Sequence, residues 1–169
     1  KTSIFSHPVY LFLRKFSLQD SRGGSGRGNG LYLLAGLRKF ERGEASIQYC
    51  GITKNAYSQR FVNHHALSQI SRDLQIWLGQ IAVPENYSRA EIELAEKIIV
   101  FFWQPELNTR LRDWAPDPTT VISHWYTADG KIRINQKAIY RDLEDVMSWD
   151  GEYWRSGNLA VYAQEFEEA

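Results

Sequence analysis

The sequence is poor in cysteine and in long apolar runs, and each shortage excludes a class of protein. A single cysteine, Cys50, among 169 residues excludes an internal disulfide and a cysteine cluster for zinc. This shortage favours a reducing, cytoplasmic setting. No apolar run approaches the ~20 residues that a membrane-spanning helix needs, and the first residues lack the pattern of a signal peptide. We therefore expect no membrane partner.

An excess of either charge is also missing, because 20 Lys and Arg residues balance 20 Asp and Glu residues. The two signs are nevertheless distributed unevenly. Residues 1–110 hold 14 basic and 9 acidic side chains, whereas residues 111–169 hold 6 and 11. A phosphate backbone responds to the local field rather than to the total charge, so the N-terminal part is a plausible binder of a polyanion.

What is present is ordinary globular composition, with 43% hydrophobic and 24% charged residues, enough for a domain with a core. The segment DSRGGSGRGNG carries five glycines in eleven residues and predicts a flexible linker. It lacks the Gly-Lys-Ser/Thr ending of a phosphate-binding loop. We divide the chain into an N-terminal segment with this loop (1–29), a core (30–110) and an acidic, aromatic-rich extension (111–169).

The core pattern predicts an α+β fold, a small antiparallel sheet with flanking helices. LYLLAGL and SIQYCGI are two β-like runs that predict a hairpin with a long loop, and residues 57–71 have a helical apolar pattern. Residues 7–16 and 74–83 are ambiguous between strand and helix. The clearest helix spans residues 88–103, because it starts with the capping-box pattern of serine followed three positions later by glutamate.

The extension predicts further β and α elements. VISHWYTADGKIRIN indicates a hairpin around Asp129 and Gly130, QKAIYRDLEDVM a short helix, and SWDGEYWRSGNLAVYAQ a turn followed by a strand. Its four tryptophans are more typical of the core of a small packed unit than of a base-stacking platform. Its acidity makes the extension a poor phosphate binder. Its expected role is therefore either to dock against the basic half of the chain or to mediate dimerisation.

Glu96 lies where the helical pattern calls for an apolar residue. Ile92, Ala95 and Ile99 define the buried stripe of the helix, and Glu96 falls inside it. A bare ionised carboxylate is costly to bury, so it must be paired, metal-bound or neutralised. Two interpretations stay open: a structural ion pair with an arginine, and a Mg²⁺ site with one protein carboxylate.

Arg60 and His64 are separated by four residues, which on a helix places them on one face. Taken alone, such a pair is usually a solvated surface pair. Tyr32 and Tyr49, taken alone, would be core residues whose hydroxyl groups are hydrogen-bonded. Only the whole set of residues in this order therefore predicts a functional site.

In that order, the positions resemble the GIY-YIG nuclease domain found in homing endonucleases, the excision-repair incision enzyme and some type II restriction enzymes. The resemblance covers residues 30–110, about half the chain. Leu31 and Cys50 stand where the family pattern has isoleucine. The matching positions are GLY (Gly30, Leu31, Tyr32), YCG (Tyr49, Cys50, Gly51), Arg60, His64, Glu96 and Asn108.

The resemblance implies hydrolysis of phosphodiester bonds, most often in double-stranded DNA, with one Mg²⁺ or Mn²⁺ ion on Glu96. Arg60 would hold the scissile phosphate. Tyr32 is the candidate general base, with Tyr49 or His64 helping to orient it or relay the proton. An ordinary tyrosine has a pKa of about 10, so this role requires a lowered pKa, which Arg60 and the metal are expected to supply.

The resemblance leaves the identity of the general base open and gives other residues supporting roles. His64 is the alternative base, because the ordinary pKa of histidine lies close to neutral pH. Asn108 would position backbone or a catalytic side chain. Candidate contacts to the DNA backbone are Arg22 and Arg27 in the glycine-rich loop, and Arg38, Lys39 and Arg42 in the hairpin loop.

Three functions compete at this point. The leading expectation is a DNA endonuclease of the type II restriction or another genome-defence kind. A double-strand cut needs two active sites, which predicts a homodimer or a higher oligomer. The second is a catalytically inactive module that binds nucleic acid or protein. The third is a fold without nuclease activity, in which Glu96 and Arg60 form a purely structural ion pair.

Overall fold

The computed structural model describes residues 9–15, 30–83, 86–131, 144–157 and 159. These residues form a seven-stranded sheet, two α-helices and one 3₁₀ turn, Leu67–Gln69. The helices are Tyr57–Phe61 (α1) and Arg89–Trp103 (α2). The strands are Val9–Lys15 (β1), Gly30–Arg38 (β2), Ser46–Thr53 (β3), Ile70–Val83 (β4), Thr119–Tyr126 (β5), Val146–Trp149 (β6) and Trp154–Gly157 (β7).

The strands are arranged in the order β3-β2-β4-β1-β5-β6-β7. The pair β1 and β5 is parallel, and the other five neighbouring pairs are antiparallel. This architecture confirms the α+β class. The sheet is larger than the small antiparallel sheet expected from the sequence, and it is mixed, because β1 joins β4 on one side and β5 on the other.

The sheet is continuous across both boundaries drawn at residues 29/30 and 110/111. Strand β1 comes from the N-terminal segment, and its Leu11 lies opposite Ile81 of β4 and Ser123 of β5. Val121, Trp125 and Met147 from the extension are buried in the same hydrophobic core as helix α2. The three segments therefore share one sheet and one core.

The two faces of the sheet bury different sets of residues. Leu31 and Leu33 of β2 belong to the core that packs against helix α2, whereas Tyr32 and Leu34 belong to a smaller cluster near α1 and the 3₁₀ turn. This division follows from the alternation of side chains along a strand. The tyrosine of the GLY motif consequently lies on the face away from α2.

The predicted hairpin and the helix of residues 88–103 are confirmed. Ser88 is the N-cap of α2: its hydroxyl accepts a hydrogen bond from the Ala90 amide, and the Glu91 carboxylate accepts one from the Ser88 amide at 2.7 Å. The ambiguous stretches are strands β1 and β4. Strand β4 spans fourteen residues and pairs with both β1 and β2, which settles its identity as a central strand.

The single helix expected over residues 57–71 is wrong. Helix α1 ends at Phe61, Val62 has an extended backbone, and Asn63 has a positive φ of 59°. Asparagine tolerates this left-handed conformation better than most residues, so the chain turns here instead of continuing the helix. His64 follows in the turn rather than on a helical face with Arg60.

The predictions for the extension have mixed outcomes. The turn at Asp129 and Gly130 is present, closed by a hydrogen bond from the Thr127 amide to the Lys131 carbonyl at 2.8 Å. The strand expected after this turn and most of the helix expected over residues 136–147 lie outside the described residues. The end of that helix is wrong, since residues 146 and 147 belong to β6. The final turn is present and β7 begins the strand expected after it, but residue 159 is helical, and residues 158 and 160–164 of that strand lie outside the described residues.

Three of the extension's tryptophans are packed, but in the core shared with α2 and β4 and not in the core of a separate small unit. The Trp125 ring meets Trp77 edge-on with centroids 5.1 Å apart, and Trp154 lies 4.9 Å from Trp149 and 5.1 Å from Phe102. Trp114 is the exception, with 79% of its surface exposed. Among the described residues, no helix combines the length and the apolarity needed to cross a bilayer.

Candidate active site

The site is centred on Tyr32, which is fully buried in the middle of the sheet's second face. Gly51 of β3 lies directly opposite Tyr32 in the strand register. A Cβ atom at Gly51 would lie 2.6 Å from both the Tyr32 hydroxyl and Tyr49 Cε1, closer than any real contact. The glycine of the YCG motif is therefore required because the Tyr32 side chain crosses over it.

Two side chains converge on the Tyr32 hydroxyl oxygen. Arg60 Nε donates a hydrogen bond to it at 2.9 Å, and His64 Nε2 lies 2.8 Å away. The Arg60 guanidinium carbon also lies 5.8 Å from the centre of the Tyr32 ring. The structure thus brings together three of the predicted residues, although α1 ends before His64.

The tautomer of His64 follows from its second nitrogen. The Ala66 backbone amide donates to His64 Nδ1 at 3.2 Å, so Nδ1 must carry a lone pair and not a proton. In the neutral ring the proton is then on Nε2, which donates to Tyr32. The Tyr32 oxygen then accepts from both Arg60 and His64.

The ionisation of both groups is dominated by burial. Burial raises the pKa of the Tyr32 phenol well above its usual range, and the nearby Tyr49 adds to this, while Arg60 lowers it by a smaller amount. The lowered pKa expected for Tyr32 is therefore not found. Burial, Arg60 and His65 together lower the pKa of His64 to about 4, so His64 is neutral at pH 7.

An aromatic enclosure surrounds this cluster. Tyr49 stacks on Tyr32 with ring centroids 6.0 Å apart and meets His64 edge-on at 5.1 Å. Phe61 meets Tyr32 edge-on at 5.2 Å. The hydroxyl of Tyr57 donates to the Gly79 carbonyl at 2.9 Å, which fixes α1 on the sheet. These rings limit the movement of Tyr32 and exclude water from its ring.

Glu96 is half-buried on α2, as the apolar stripe predicted. Within the described part of the chain it has no hydrogen bond and no ion pair, so the structural ion pair with Arg60 is not formed. Burial raises the pKa of Glu96 to about 7, opposed first by Arg89, while Glu93 adds to the rise and Arg60 opposes it. The Arg60 charge thus links the carboxylate to the Tyr32 cluster electrostatically.

The Asn108 side chain binds the backbone of strand β3. Its side-chain oxygen accepts from the Cys50 amide at 2.8 Å, and its side-chain nitrogen donates to the Cys50 carbonyl at 2.8 Å. The Leu107 amide donates to the Gln48 carbonyl at 2.9 Å on the same strand. Residues 107 and 108 thereby cover the free edge of β3.

The residues predicted to contact DNA differ in whether their side chains are exposed or already paired within the protein. Lys39 and Arg42 are exposed in the hairpin loop. Arg38 is instead engaged by Glu41 at 3.9 Å and Glu106 at 4.0 Å. Arg22 and Arg27 lie outside the described residues, as does the glycine-rich loop that contains them.

The donor atoms around Glu96 limit which metal the site could hold. Within the described residues there is no group of three or more His, Cys, Asp or Glu side chains arranged for a metal. A single carboxylate without a protein partner fits Mg²⁺ or Mn²⁺, which accept water and substrate phosphate as remaining ligands. It does not fit a zinc site with several protein ligands.

Several residues of the site carry no signal in the sequence. The Ala66 amide fixes the His64 tautomer, and any residue except proline could supply it. Phe61 and Tyr57 looked like ordinary positions of a helical pattern. Gly30 was selected from the sequence as part of the GLY motif, but the reason for it, a Cβ atom that would collide with the Tyr57 hydroxyl, is visible only in the folded structure.

Comparisons with protein-family models, with curated proteins and with solved structures found no match to this chain.

Proposed function

We propose that this chain is a Mg²⁺- or Mn²⁺-dependent DNA endonuclease, with a type II restriction or other genome-defence role. The observation that carries the proposal is the Tyr32 hydroxyl, which accepts hydrogen bonds from Arg60 and His64, together with the half-buried Glu96, whose carboxylate senses the Arg60 charge and has no hydrogen bond or ion pair among the described residues. A purely structural cluster has no need for a carboxylate without a partner, because burying one is costly. The resemblance to GIY-YIG nucleases rests on the same residues.

Arg60 is the residue that would bind the scissile phosphate. Its Nε atom is held by Tyr32, which orients the planar guanidinium, and planar guanidinium groups suit phosphate oxygens. The same charge would oppose the negative charge that grows on the phosphate as water attacks. Arg60 therefore has both a binding and a catalytic role in this proposal.

Tyr32 is the better placed of the two candidate bases. His64 donates to Tyr32 through Nε2, and its Nδ1 lone pair is already used by the Ala66 amide, so His64 has no free lone pair. Its part is to hold the Tyr32 oxygen and to stabilise the phenolate. Since burial raises the Tyr32 pKa, the phenolate would form only with further positive charge nearby, which a bound divalent ion would supply.

Glu96 would hold the divalent ion. When bound, that ion supplies positive charge at the scissile phosphate and at the leaving 3′ oxygen. Glu96 must be ionised to bind it, and a pKa of about 7 means that this form is well populated only above neutral pH.

The test is cleavage of a supercoiled plasmid in Mg²⁺ and in EDTA. We expect wild type to cut only with metal, and Glu96→Gln and Tyr32→Phe to lose at least about 100-fold in rate, the scale of a general base or metal contact. Glu152→Gln and Tyr153→Phe are matched controls, since both residues are exposed on the β6–β7 turn. Discrete fragments would indicate sequence specificity.

Each other result has a clear meaning. Cutting that survives Glu96→Gln and Tyr32→Phe would come from a contaminant and would remove the proposal. DNA that is bound but never cut in Mg²⁺ or Mn²⁺ would instead identify an inactive binding module.

A further inference from the structure

The hairpin loop between β2 and β3 displays an aromatic ring to solvent. Phe40 is 87% exposed, the highest value among the large hydrophobic residues that the structure describes. Its φ is 70°, in the left-handed region that bulky side chains rarely adopt. An exposed ring in an unfavourable backbone conformation does not contribute to the protein's own core.

The rest of the loop holds Phe40 in this position. The Glu41 carboxylate accepts a hydrogen bond from the Arg38 amide at 2.7 Å and another from Gln48 Nε2 at 3.0 Å. The Glu41 amide donates to the Arg38 carbonyl at 3.2 Å, and the Arg72 guanidinium donates to the Glu41 carbonyl. The ring is therefore presented by a turn fixed at several points.

The charges beside the ring favour a polyanion. Lys39 and Arg42 are both exposed on either side of Phe40, and Lys39 Nζ lies 5.1 Å from the ring centroid. The Glu41 carboxylate is turned into the loop by its hydrogen bonds, which leaves Glu44 as the exposed acid of the turn. The tip thus offers an apolar ring between two cations.

The loop also stands at a distance that one ligand could span. Tyr32 and Arg38 are six residues apart on β2, which at a rise of about 3.3 Å per residue is about 20 Å. This length corresponds to about six base pairs of duplex DNA, at about 3.4 Å each. Register irregularities in β2 make this separation an upper bound, so a duplex with a phosphate at Arg60 is long enough to span it.

We propose that Phe40 is a wedge that inserts between base pairs of duplex DNA while Lys39 and Arg42 contact the flanking phosphates. The proposal rests on the proposed function, because it takes the bound polymer to be the DNA held at the Tyr32 cluster. Apolar side chains inserted at a base step partly unstack and kink the duplex, and neighbouring cations stabilise the bent form.

The test measures unwinding without cleavage. A closed-circular plasmid of mixed sequence is relaxed by a metal-independent type I topoisomerase in EDTA, with the protein present, and its linking number is then measured. We expect a linking-number deficit with wild type and with Phe40→Leu, which keeps an apolar wedge. The deficit with Phe40→Ala should be at least threefold smaller than with wild type. Trp114→Ala, which removes another exposed aromatic ring, should match wild type.

Several outcomes would overturn the wedge. They are an equal deficit with Phe40→Ala, plasmid binding with no deficit, no binding at all, or dissociation by Phe40→Ala of a dimer seen in sedimentation. The last would identify a self-association surface. A Phe40-dependent deficit without cutting in Mg²⁺ would support the wedge and refute the nuclease, and cutting with a deficit unchanged in Phe40→Ala would do the reverse.

Discussion

At the scale of single residues, the hydrogen bonds around Tyr32 make His64 a donor to the Tyr32 oxygen and leave His64 no lone pair for accepting a proton. The Ala66 amide commits His64 to a single tautomer, and that tautomer can only donate to the Tyr32 oxygen. The spacing of Arg60 and His64 suggested a base and its helper without saying which was which. A backbone amide two residues beyond His64 fixes its tautomer, which favours Tyr32 as the base in the proposed mechanism.

His64 is expected to matter as a donor and not as a base. Glutamine can still donate a hydrogen bond to Tyr32 but cannot accept a proton at neutral pH, so His64→Gln should keep plasmid cleavage within about tenfold of wild type. His64→Ala should lose at least about 100-fold, since loss of a group assisting proton transfer costs this much. Initial rates at pH 8 in Mg²⁺ check both. Equal, complete inactivation by the two substitutions would make His64 the base.

Glu96 should make the protein less stable as the pH rises. Its pKa is raised in the folded protein from 4.5 to about 7, so its stabilising contribution is complete below pH 4.5 and is lost as the pH rises through about 7. The difference corresponds to about 3 kcal/mol. Glu96→Gln does not titrate, so the stability gap between variant and wild type should widen by up to that amount between pH 4.5 and 8.

Urea unfolding in EDTA measures this gap without metal. Glu152→Gln, which removes an exposed carboxylate, should follow wild type at every pH. A gap between Glu96→Gln and wild type that does not change with pH would show that Glu96 ionises normally in the folded protein.

At the scale of elements, the segment after α2 has a structural task. An edge strand exposes unpaired amide and carbonyl groups, and residues 107 and 108 occupy those of Gln48 and Cys50 on β3. This contact also fixes the Tyr49 and Gly51 positions on either side of Cys50. Asn108 therefore supports the Tyr32 cluster through strand β3.

Asn108→Ala should consequently reduce stability and leave chemistry intact. It removes two hydrogen bonds and leaves the buried Cys50 groups without partners, which should cost about 2–4 kcal/mol in urea unfolding. Asn55→Ala, at an exposed asparagine, is the control and should change little. The cleavage rate per folded molecule should remain within about threefold of wild type. A large loss of rate in fully folded Asn108→Ala would mean that Asn108 acts on the substrate.

Packing between elements also explains why the prediction of one helix over residues 57–71 was wrong. Phe61 and Ala66 are buried or half-buried in one cluster, which mimics a helical stripe in the sequence. The apolar positions face the sheet from a short helix, a turn and a 3₁₀ turn instead. A periodic pattern records which residues are buried, and several backbone shapes can bury the same set.

At the scale of the whole molecule, the sheet joins all three segments of the chain. Strand β1 lies between β4 and β5, so the hydrogen bonds of the central sheet connect residues from 1–29, 30–110 and 111–169. Trp125 packs on Trp77 and Trp103 across the boundary at residue 110. This continuity predicts one cooperative unit.

A fragment of residues 30–110 should not fold by itself. It lacks the partners of the β1 side of β4, and it leaves Trp77 and Ile98 of the core without the packing of Val121 and Trp125. We expect the fragment to show no cooperative urea transition by circular dichroism, whereas the full chain shows one. A fragment with a cooperative transition and native-like near-ultraviolet signals would establish an independent core domain.

The sequence by itself determined the features that local patterns encode. These are the α+β class, the hairpin, the capped helix α2, and the placement of Glu96 in an apolar stripe, because alternation, helical period and capping chemistry act over a few neighbouring residues. Tyr32, Tyr49, Arg60 and His64 could also be selected from the sequence, because the motif is defined by their order and spacing along the chain.

Only the tertiary structure decided what depends on residues far apart in the chain. The insertion of β1 into the centre of the sheet, the tautomer of His64, the raised pKa of Tyr32 and the lack of a Glu96 ion pair within the described residues all arise from contacts or burial. Burial and hydrogen-bond geometry are properties of the packed molecule, so no local pattern could supply them.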